Sequence, residues 1–234
     1  MFTEPGNNIL NFYQPTTNPD TLFTTPVYRY MEEKWVDEFF KTGSLKISSF
    51  KKFRTYKDEN KRRDDKEGIG THHIIAGTEG NFHFVQRGGN DFPAYMLSTS
   101  LIYSDELKDE FETEACFKIN DPANFAVAVS NAIKDSITRI FLGLCNYDDR
   151  GYLEITTKME ITRDFIDNFD LLNPNMGGYS SDEMMVDLLF IKRTVPYKKQ
   201  AEFRFAWIID LPSDKAPDDY IVFCPEAIKY CEKM

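Results

Sequence analysis

The 234-residue sequence lacks the motifs that mark several common functional classes. It contains neither G-x-G-x-x-G nor G-x-x-x-x-G-K-[ST], so we do not expect a Rossmann or P-loop nucleotide site. Its four cysteines form no C-x-x-C pair and do not cluster with the three histidines, which argues against a zinc site and a disulfide framework. We interpret the cysteines as free thiols in a reducing cytoplasm and as small buried hydrophobic side chains.

Long apolar runs are also missing. No stretch approaches the roughly 20 apolar residues that cross a bilayer. The segment MFTEPGNNILNF lacks the basic-then-apolar order of a signal peptide. The net charge is −10, from 28 Lys and Arg against 38 Asp and Glu, so the protein as a whole should repel nucleic acid and anionic membranes. We therefore expect a cytoplasmic protein with no membrane partner.

Short strand-like segments outnumber helical ones, and Gly, Pro and Asn separate them. This order predicts an α+β fold with mixed, mostly antiparallel short-strand sheets and a few helices. Residues 1–24 should be an irregular N-terminal arm, and residues 25–234 a single domain. The predicted strands are 27–31, 44–50, 71–77, 80–86, 93–102, 114–120, 138–144, 151–158, 187–193, 200–211 and 220–223. The predicted helices are 32–43, 104–112, 121–137 and 162–169.

One late segment, VPYKKQAEFRFAWIID (195–210), alternates in character. Its odd positions from Ala201 are apolar, whereas Gln200, Glu202 and Arg204 should project together from the other face of a strand. One interpretation is a solvated edge strand with a Glu–Arg pair. The other is a rigidly held glutamate that binds a sugar hydroxyl and stabilises developing positive charge, beside a residue that orients a nucleophile.

Two earlier segments carry polar side chains with the same period. AYMLSTSLIY (94–103) places two serines on one face and a threonine on the other, and VYRYM (27–31) places an arginine opposite two tyrosines. Each also has a plain structural interpretation, as a strand end with small hydroxyl residues and as an edge strand with amphipathic aromatics.

An Arg/Tyr strand, then a Ser-Thr-Ser strand, then a Gln-x-Glu strand is the order found in ADP-ribosyltransferases. The chain resembles the Arg–Ser–Glu branch of that family over roughly residues 25–210. The stretch VYRYMEEKWVDEFFKTGSLKISSF also resembles the start of the DNA-modifying toxins of this family, and is similar to small bacterial and phage-defence proteins. The resemblance implies an ADP-ribosyltransferase-like fold.

The resemblance implies that NAD is the substrate, with no metal. Glu202 would bond the ribose 2′-hydroxyl and stabilise an oxocarbenium-like state as nicotinamide leaves, and Gln200 would orient the acceptor. Arg29 would contact the phosphates or ribose, with a neighbouring tyrosine near the nicotinamide. The NAD-binding residues implied in this way are Tyr28, Arg29, Tyr30, Ser98, Thr99 and Ser100. The acceptor would be nucleic acid or protein. The protein would act as an intracellular toxin or phage-defence effector, and a neutralising antitoxin would be a possible partner.

The segment KKFRTYKDENKRRDDKEG (51–68) holds eight basic and five acidic residues and is too polar to be core. A solvated loop with internal ion pairs is one interpretation. A second is a surface at residues 51–63 that grips the phosphates of NAD or of a nucleic-acid acceptor. Its candidate side chains are Phe53, Arg54, Tyr56, Arg62 and Arg63. A third is a metal site of a nuclease, formed by Asp64, Asp65 and Glu67.

Two alternatives to the transferase therefore stay open. One is a non-catalytic binding module on the same fold, which would sequester a host or phage factor or a nucleotide. The other is the metal-dependent nuclease.

Overall fold

The computed structural model describes residues 10–12, 25–55, 67–76, 82–89, 94–133, 137–149, 153–159, 181–209 and 217–234. The fold is α+β and its sheets are mostly antiparallel, as the order of segments predicts. None of the helices in these ranges is long and apolar enough to cross a membrane.

The described residues form short strands and helices whose order is mixed. The strands are β1 Leu10–Phe12, β2 Val27–Met31, β3 Ser44–Ser49, β4 Ile69–Ala76, β5 Phe82–Gly89, β6 Ala94–Ser100, β7 Ala115–Ile119, β8 Ile137–Leu144, β9 Asn146–Asp148, β10 Leu153–Met159, β11 Ile191–Arg193, β12 Glu202–Ile209, β13 Asp219–Phe223 and β14 Cys231–Lys233. The helices are α1 Glu33–Thr42, α2 Phe50–Thr55, α3 Asp105–Phe111, α4 Pro122–Ala132 and α5 Ser181–Phe190. A helical turn at Thr194–Tyr197 and 3₁₀ helices at Lys198–Gln200 and Pro225–Tyr230 complete the set.

Residues that favour helix termini lie at the ends of three helices. Ser104 caps α3 by accepting a hydrogen bond from the Leu107 amide at 3.2 Å, and Asp121 caps α4 with Pro122 at the first helical position. Helix α1 ends at Gly43, which has φ 79° and so adopts the left-handed conformation that glycine favours.

The main sheet runs in the order β1-β8-β12-β6-β2-β7-β14, with β3 paired to β6 and β13 paired to β3. Strand β12 lies between β6 and β8 and is antiparallel to both. The register places Glu202 opposite Ser100 and Arg204 opposite Ser98. The late strand is therefore central rather than an edge, because partners from earlier in the chain cover both of its sides.

Alternate side chains of β12 pack into two different hydrophobic cores, one on each face of the sheet. Phe203, Phe205, Trp207 and Ile209 face the larger core, which includes side chains of α1 and α4. On the opposite face, Ala206 and Ile208 belong to a smaller core that includes side chains of α2 and α5. Because helices cover both faces, the polar face is buried rather than solvated, and every residue of β12 is inside the protein, which excludes the solvated-edge interpretation.

Strand β6 changes partner along one of its sides. At one end Ser100 pairs with Tyr28 of β2, and at the other end Met96 pairs with Ser48 of β3. The two partners diverge between these points. The Arg29 guanidinium reaches β6 here, and its Nη1 donates a hydrogen bond to the Ser98 carbonyl at 2.6 Å. The sheet is forked at this point, and the fork positions the site described below.

Two smaller sheets complete the described fold, β10-β4-β5 and β11-β9. The predicted strand at 187–193 was wrong: α5 continues to Phe190, and only Ile191–Arg193 is extended. A short apolar run such as LLF is compatible with a buried helix as well as a strand, and period alone does not separate the two. The N-terminal arm, expected to be irregular, supplies β1, which pairs in parallel with β8. The predicted helix at 162–169 lies outside the described residues.

Candidate functional site

A cavity of about 260 Å³ opens at the fork between β2 and β3. The sequence-predicted side chains of three strands converge on its lining, although they are far apart in the chain. Those residues are Tyr28, Arg29, Tyr30, Ser98, Thr99, Ser100, Gln200 and Glu202. The fork leaves a gap beside β6, and β12 contributes its first residue to the same space.

Glu202 forms part of the buried floor of this cavity, with 3% of its surface exposed. Its Oε1 accepts a hydrogen bond from Arg204 Nε at 2.7 Å, and its Oε2 forms an ion pair with Lys192. Its backbone amide donates to the Tyr147 hydroxyl at 2.8 Å. The carboxylate is therefore held in one orientation, while the cavity still reaches it.

Two acids and two bases are buried together at this place, of which Glu202 and Lys192 line the cavity and the other two lie behind them. Arg204 pairs with Glu67 as well as with Glu202, and its Nη1 donates to the Leu189 carbonyl at 2.7 Å. With Lys192 the group has no net charge, so its four buried charges compensate one another. This group, hereafter the charge cluster, consists of Glu67, Lys192, Glu202 and Arg204.

The charge cluster keeps its acid ionised. Burial alone would raise the pKa of Glu202, but the charges of Arg204 and Lys192 outweigh burial and hold that pKa well below its usual range. Burial also opposes the charge of Lys192, yet Glu202 and Glu67 raise the pKa of this lysine above its ordinary value. At neutral pH Glu202 is therefore a carboxylate that accepts hydrogen bonds and has no proton to donate.

Gln200 reaches the site from a 3₁₀ helix rather than from the predicted strand. Ala201, with φ 42°, turns the chain from this helix into β12, so the two-residue period does not extend to Gln200. The Gln200 amide nevertheless adjoins the charge cluster: its Oε1 accepts from Lys192 Nζ at 3.4 Å, and its Nε2 donates to Glu110 Oε1 at 3.1 Å.

The hydroxyl residues of β6 line the cavity and also fasten β12. Thr99 Oγ1 donates to the Phe203 carbonyl at 2.8 Å, and Ser100 Oγ donates to the Gln200 carbonyl at 2.7 Å. Their hydroxyl protons are thus used within the protein. Ser100 Oγ also accepts from the Ile102 amide at 2.9 Å, which leaves it one lone pair for a ligand.

Strand β2 contributes side chains from both of its faces to the cavity lining, namely Tyr28, Arg29 and Tyr30. The Tyr30 hydroxyl donates to the Ile102 carbonyl at 2.8 Å and accepts from the Ser104 amide at 2.8 Å. Burial raises the pKa of Tyr30 to about 12, which keeps this hydroxyl protonated. Tyr30 therefore joins β2 to the start of α3 as well as forming a wall.

Arg54, a predicted phosphate-binding residue, is not among the side chains that line the cavity. Its Nη1 donates to the Glu67 carbonyl at 3.3 Å, so it supports the turn that carries a charge-cluster residue. Its neighbour Phe53 lines the cavity instead. Because α2 directs these two side chains differently, composition alone could not separate them.

The predicted acceptor surface at 51–63 is described only in its first part. Lys51 pairs with Asp218 at 3.2 Å, and Lys52 lies 3.6 Å from Asp219, so both cations have acidic neighbours on the β13 side. Residues 56–63 lie outside the described ranges. The described end therefore offers a weaker positive surface than its composition indicates.

Lys192, Tyr147 and Glu67 are site residues that the sequence did not reveal. Lys192 follows an apolar run and its sequence context indicates an ordinary strand residue, and the context of Glu67 indicates at most a metal ligand. One sequence signal was available for Lys192, because it directly follows the four apolar residues LLFI. A lysine buried in such a segment needs an acidic partner.

The cysteines that the structure describes are free thiols, as expected, and burial raises the pKa of Cys116 and of Cys224 to about 12. Within the described ranges, no three His, Cys, Asp or Glu side chains are grouped as they would be around a metal ion. No protein-family model, curated protein or solved structure significantly matches this chain.

Proposed function

We propose that this protein is an ADP-ribosyltransferase that cleaves NAD at the nicotinamide bond and passes ADP-ribose to a nucleic-acid or protein acceptor. The role proposed with it is that of an intracellular toxin or phage-defence effector. The observation that carries the proposal is the convergence of Arg29, the Ser98–Ser100 segment and Glu202 on one cavity at a forked sheet.

The size and charge of the cavity suit one end of NAD. Small-molecule pockets commonly measure about 300–1,000 Å³, so about 260 Å³ encloses the nicotinamide riboside end of NAD and leaves the rest of the dinucleotide at the exposed mouth of the cavity. Arg29 and Lys46 line the cavity together and would attract the diphosphate. Aromatic side chains provide flat apolar walls for the pyridine ring; they are Tyr28, Tyr30, Phe39, Phe53 and Phe111.

Glu202 is suited to electrostatic stabilisation rather than proton transfer. As nicotinamide departs with the electron pair of the glycosidic C–N bond, positive charge develops on the ribose. An ionised, pre-oriented carboxylate lowers the energy of that state without reorganising. Each Glu202 oxygen holds one protein partner and still has a lone pair for the ribose 2′-hydroxyl. The acceptor then attacks the ribose carbon and releases its proton to solvent.

The same cluster favours the binding-module alternative on one point. Because the charge cluster is neutral overall, its field on a developing cation is weaker than that of an isolated carboxylate. A module of this kind would bind a nucleotide in the cavity without releasing nicotinamide. The nuclease alternative loses one of its three candidate ligands, because Glu67 is buried against Arg204. Its other two, Asp64 and Asp65, lie outside the described residues.

The test must remove the Glu202 carboxylate without leaving a buried charge. Glu202→Gln alone would leave Lys192 and Arg204 with excess positive charge, at a cost of about 3–5 kcal/mol. The double variant Glu202→Gln/Lys192→Met keeps the remaining Glu67–Arg204 pair neutral. The comparison variant Lys192→Met retains the carboxylate but leaves one excess buried negative charge, so urea unfolding first establishes that both variants are folded under the assay conditions.

Nicotinamide release from NAD is measured for wild type, the comparison variant and the double variant. Label transfer from adenine-labelled NAD is followed in the protein and nucleic-acid fractions of a lysate. We expect the double variant to be about 10²–10³-fold slower than Lys192→Met, since one preorganised electrostatic group is lost. Equal rates in the two variants would contradict the role of Glu202. Nucleotide binding without nicotinamide release by the wild type would favour the binding module.

A further inference from the structure

We propose that Trp35 and Ile221, at the mouth of the site cavity, bind the purine base of the nucleotide whose other end reaches Glu202. This inference rests on the proposed function and deepens it, because it assigns a place to the adenine end of NAD.

The cavity runs from a buried floor to an exposed apolar mouth. Glu202 and Ser100 at the floor are each 3% exposed, whereas Trp35 is 51% and Ile221 61% exposed. The two exposed side chains come from separate elements, α1 and β13, yet line the same cavity. Single exposed apolar side chains are ordinary on protein surfaces, but two of them at the mouth of one polar-floored cavity mark a ligand contact.

Positive charge lies along the lining with these residues. Ile221 pairs across the strands with Lys46, whose Nζ is 3.7 Å from Asp219 Oδ2, a distance beyond a normal hydrogen bond. Arg29 lines the same cavity. In a protein of net charge −10, two cations that line the same cavity as the apolar mouth and the Glu202 floor suit the diphosphate that joins the two halves of a dinucleotide.

The indole of Trp35 is suited to stacking. Lys34 Nζ lies 5.2 Å from the ring centroid over one face, so a base would stack on the other. Every purine has a flat π face, and an exposed aromatic ring beside a cationic groove is the usual platform for such a base. Ile221 adds apolar cover.

The chain contains two tryptophans, which makes the test direct. Trp207 is fully buried and its Nε1 donates to Ser130 Oγ at 2.9 Å, so its emission reports folding rather than ligand. Only Trp35 is exposed enough for its emission to respond to a stacked base. ADP-ribose, AMP and nicotinamide mononucleotide serve as probes, because the first two carry the purine and the third does not.

We expect ADP-ribose and AMP to quench tryptophan emission in wild type and to leave the emission of Trp35→Phe unchanged. Calorimetry should show that Trp35→Ala binds ADP-ribose about 5- to 100-fold more weakly than wild type, which is the range for loss of one base–aromatic stack. Its affinity for nicotinamide mononucleotide should stay within about twofold of the wild-type affinity. Ile221→Ser should weaken ADP-ribose binding as well. The matched control is Val195→Ala, an exposed apolar position outside the cavity lining, with binding unchanged.

Nicotinamide release on the same samples separates this inference from the proposed function. Quenching by AMP without nicotinamide release supports the purine site and contradicts the transferase. Nicotinamide release with unaltered ADP-ribose binding in Trp35→Ala supports the transferase and overturns the purine site. Absence of binding by all three probes overturns both.

Discussion

Arg204 Nε donates a hydrogen bond to Glu202 Oε1 at 2.7 Å, and the two residues lie next to each other on the same face of β12. In solvent such a pair would contribute little, because water screens both charges. Here both side chains are buried between a sheet and its covering helices. The pair therefore belongs to the candidate site and to the stability of the fold, and experiments must separate the two roles.

Glu67→Gln should destabilise the fold by about 3–5 kcal/mol, because it removes one partner of the buried Arg204. The double variant Glu67→Gln/Arg204→Met leaves the neutral Glu202–Lys192 pair and should recover part of the loss. Urea unfolding measures both. Glu232→Gln, which alters an exposed contact 3.8 Å from Lys118, is the control. A single variant within 1 kcal/mol of wild type would show that Glu67 is dispensable.

The stability of the protein should fall in acid more steeply than that of Glu202→Gln/Lys192→Met. The pKa of Glu202 lies below its ordinary value of 4.5 in the folded state. As pH falls below about 4.5 the unfolded chain takes up a proton there and the folded chain does not, so stability falls with pH in that range. Urea unfolding at a series of pH values from 7 to 3 tests this, and identical slopes in the two proteins would contradict it.

Activity should show no titration of Glu202 near neutral pH. The carboxylate is already ionised there, because Arg204 and Lys192 hold its pKa low. We expect the acid limb of the rate profile to begin below about pH 5, where Glu202 is still charged and other carboxyl groups start to titrate. Nicotinamide release measured from pH 5 to 8 provides the check. A limb centred near pH 6–7 that disappears in the Glu202→Gln/Lys192→Met variant would be inconsistent with this assignment.

Tyr30→Phe should lower stability by about 1–3 kcal/mol, since the Ile102 carbonyl and the Ser104 amide each lose a partner. The ring that lines the cavity remains, so nucleotide binding should stay within about twofold. Thermal unfolding and calorimetry give the two quantities. Tyr28→Phe is the control, because its ring rests against Tyr103 at 5.5 Å. A loss of binding larger than the loss of stability would assign the Tyr30 hydroxyl to the ligand.

Gly43→Ala should destabilise by at least about 1–2 kcal/mol, the cost of a left-handed conformation for an L-residue. A Cβ at this position would also lie 2.4 Å from the Pro225 backbone nitrogen, which forces the chain to shift. Lys41→Ala, on the exposed side of α1, should be nearly neutral. Chemical unfolding of the two variants decides the matter, and equal stabilities would mean that the 3₁₀ helix beside Gly43 moves without cost.

Sequence reasoning located the strands of the candidate site because each has a two-residue period that local residues determine. Val27–Met31, Ala94–Ser100 and Glu202–Ile209 fall within two residues of their predicted bounds. The fold class followed from the same segments. The roles of the converged residues stay predictions until NAD turnover is measured.

The burial of Glu202 and Arg204 could not be predicted in the same way. It depends on which strands flank β12 and on which helices cover it, and those contacts join residues far apart in the chain. Glu67 and Lys192 were missed for the same reason, since each reaches the charge cluster from outside β12. The position of Arg54 outside the cavity lining could not be predicted either, because a charged segment does not specify which of its side chains turn inward.

In the main sheet as described, no two adjacent strands are consecutive in the chain. Strand β6, for example, pairs with β2, β3 and β12. Among the described strands, therefore, no hairpin of two consecutive strands can nucleate the main sheet. Its strand pairs join residues far apart in the chain, and contacts of that kind slow folding. The cavity needs β2, β6 and β12 together. On the ribosome, a growing chain lacks a complete site until the segment Glu202–Ile209 has emerged, so any activity of this cavity appears only after that segment has been made.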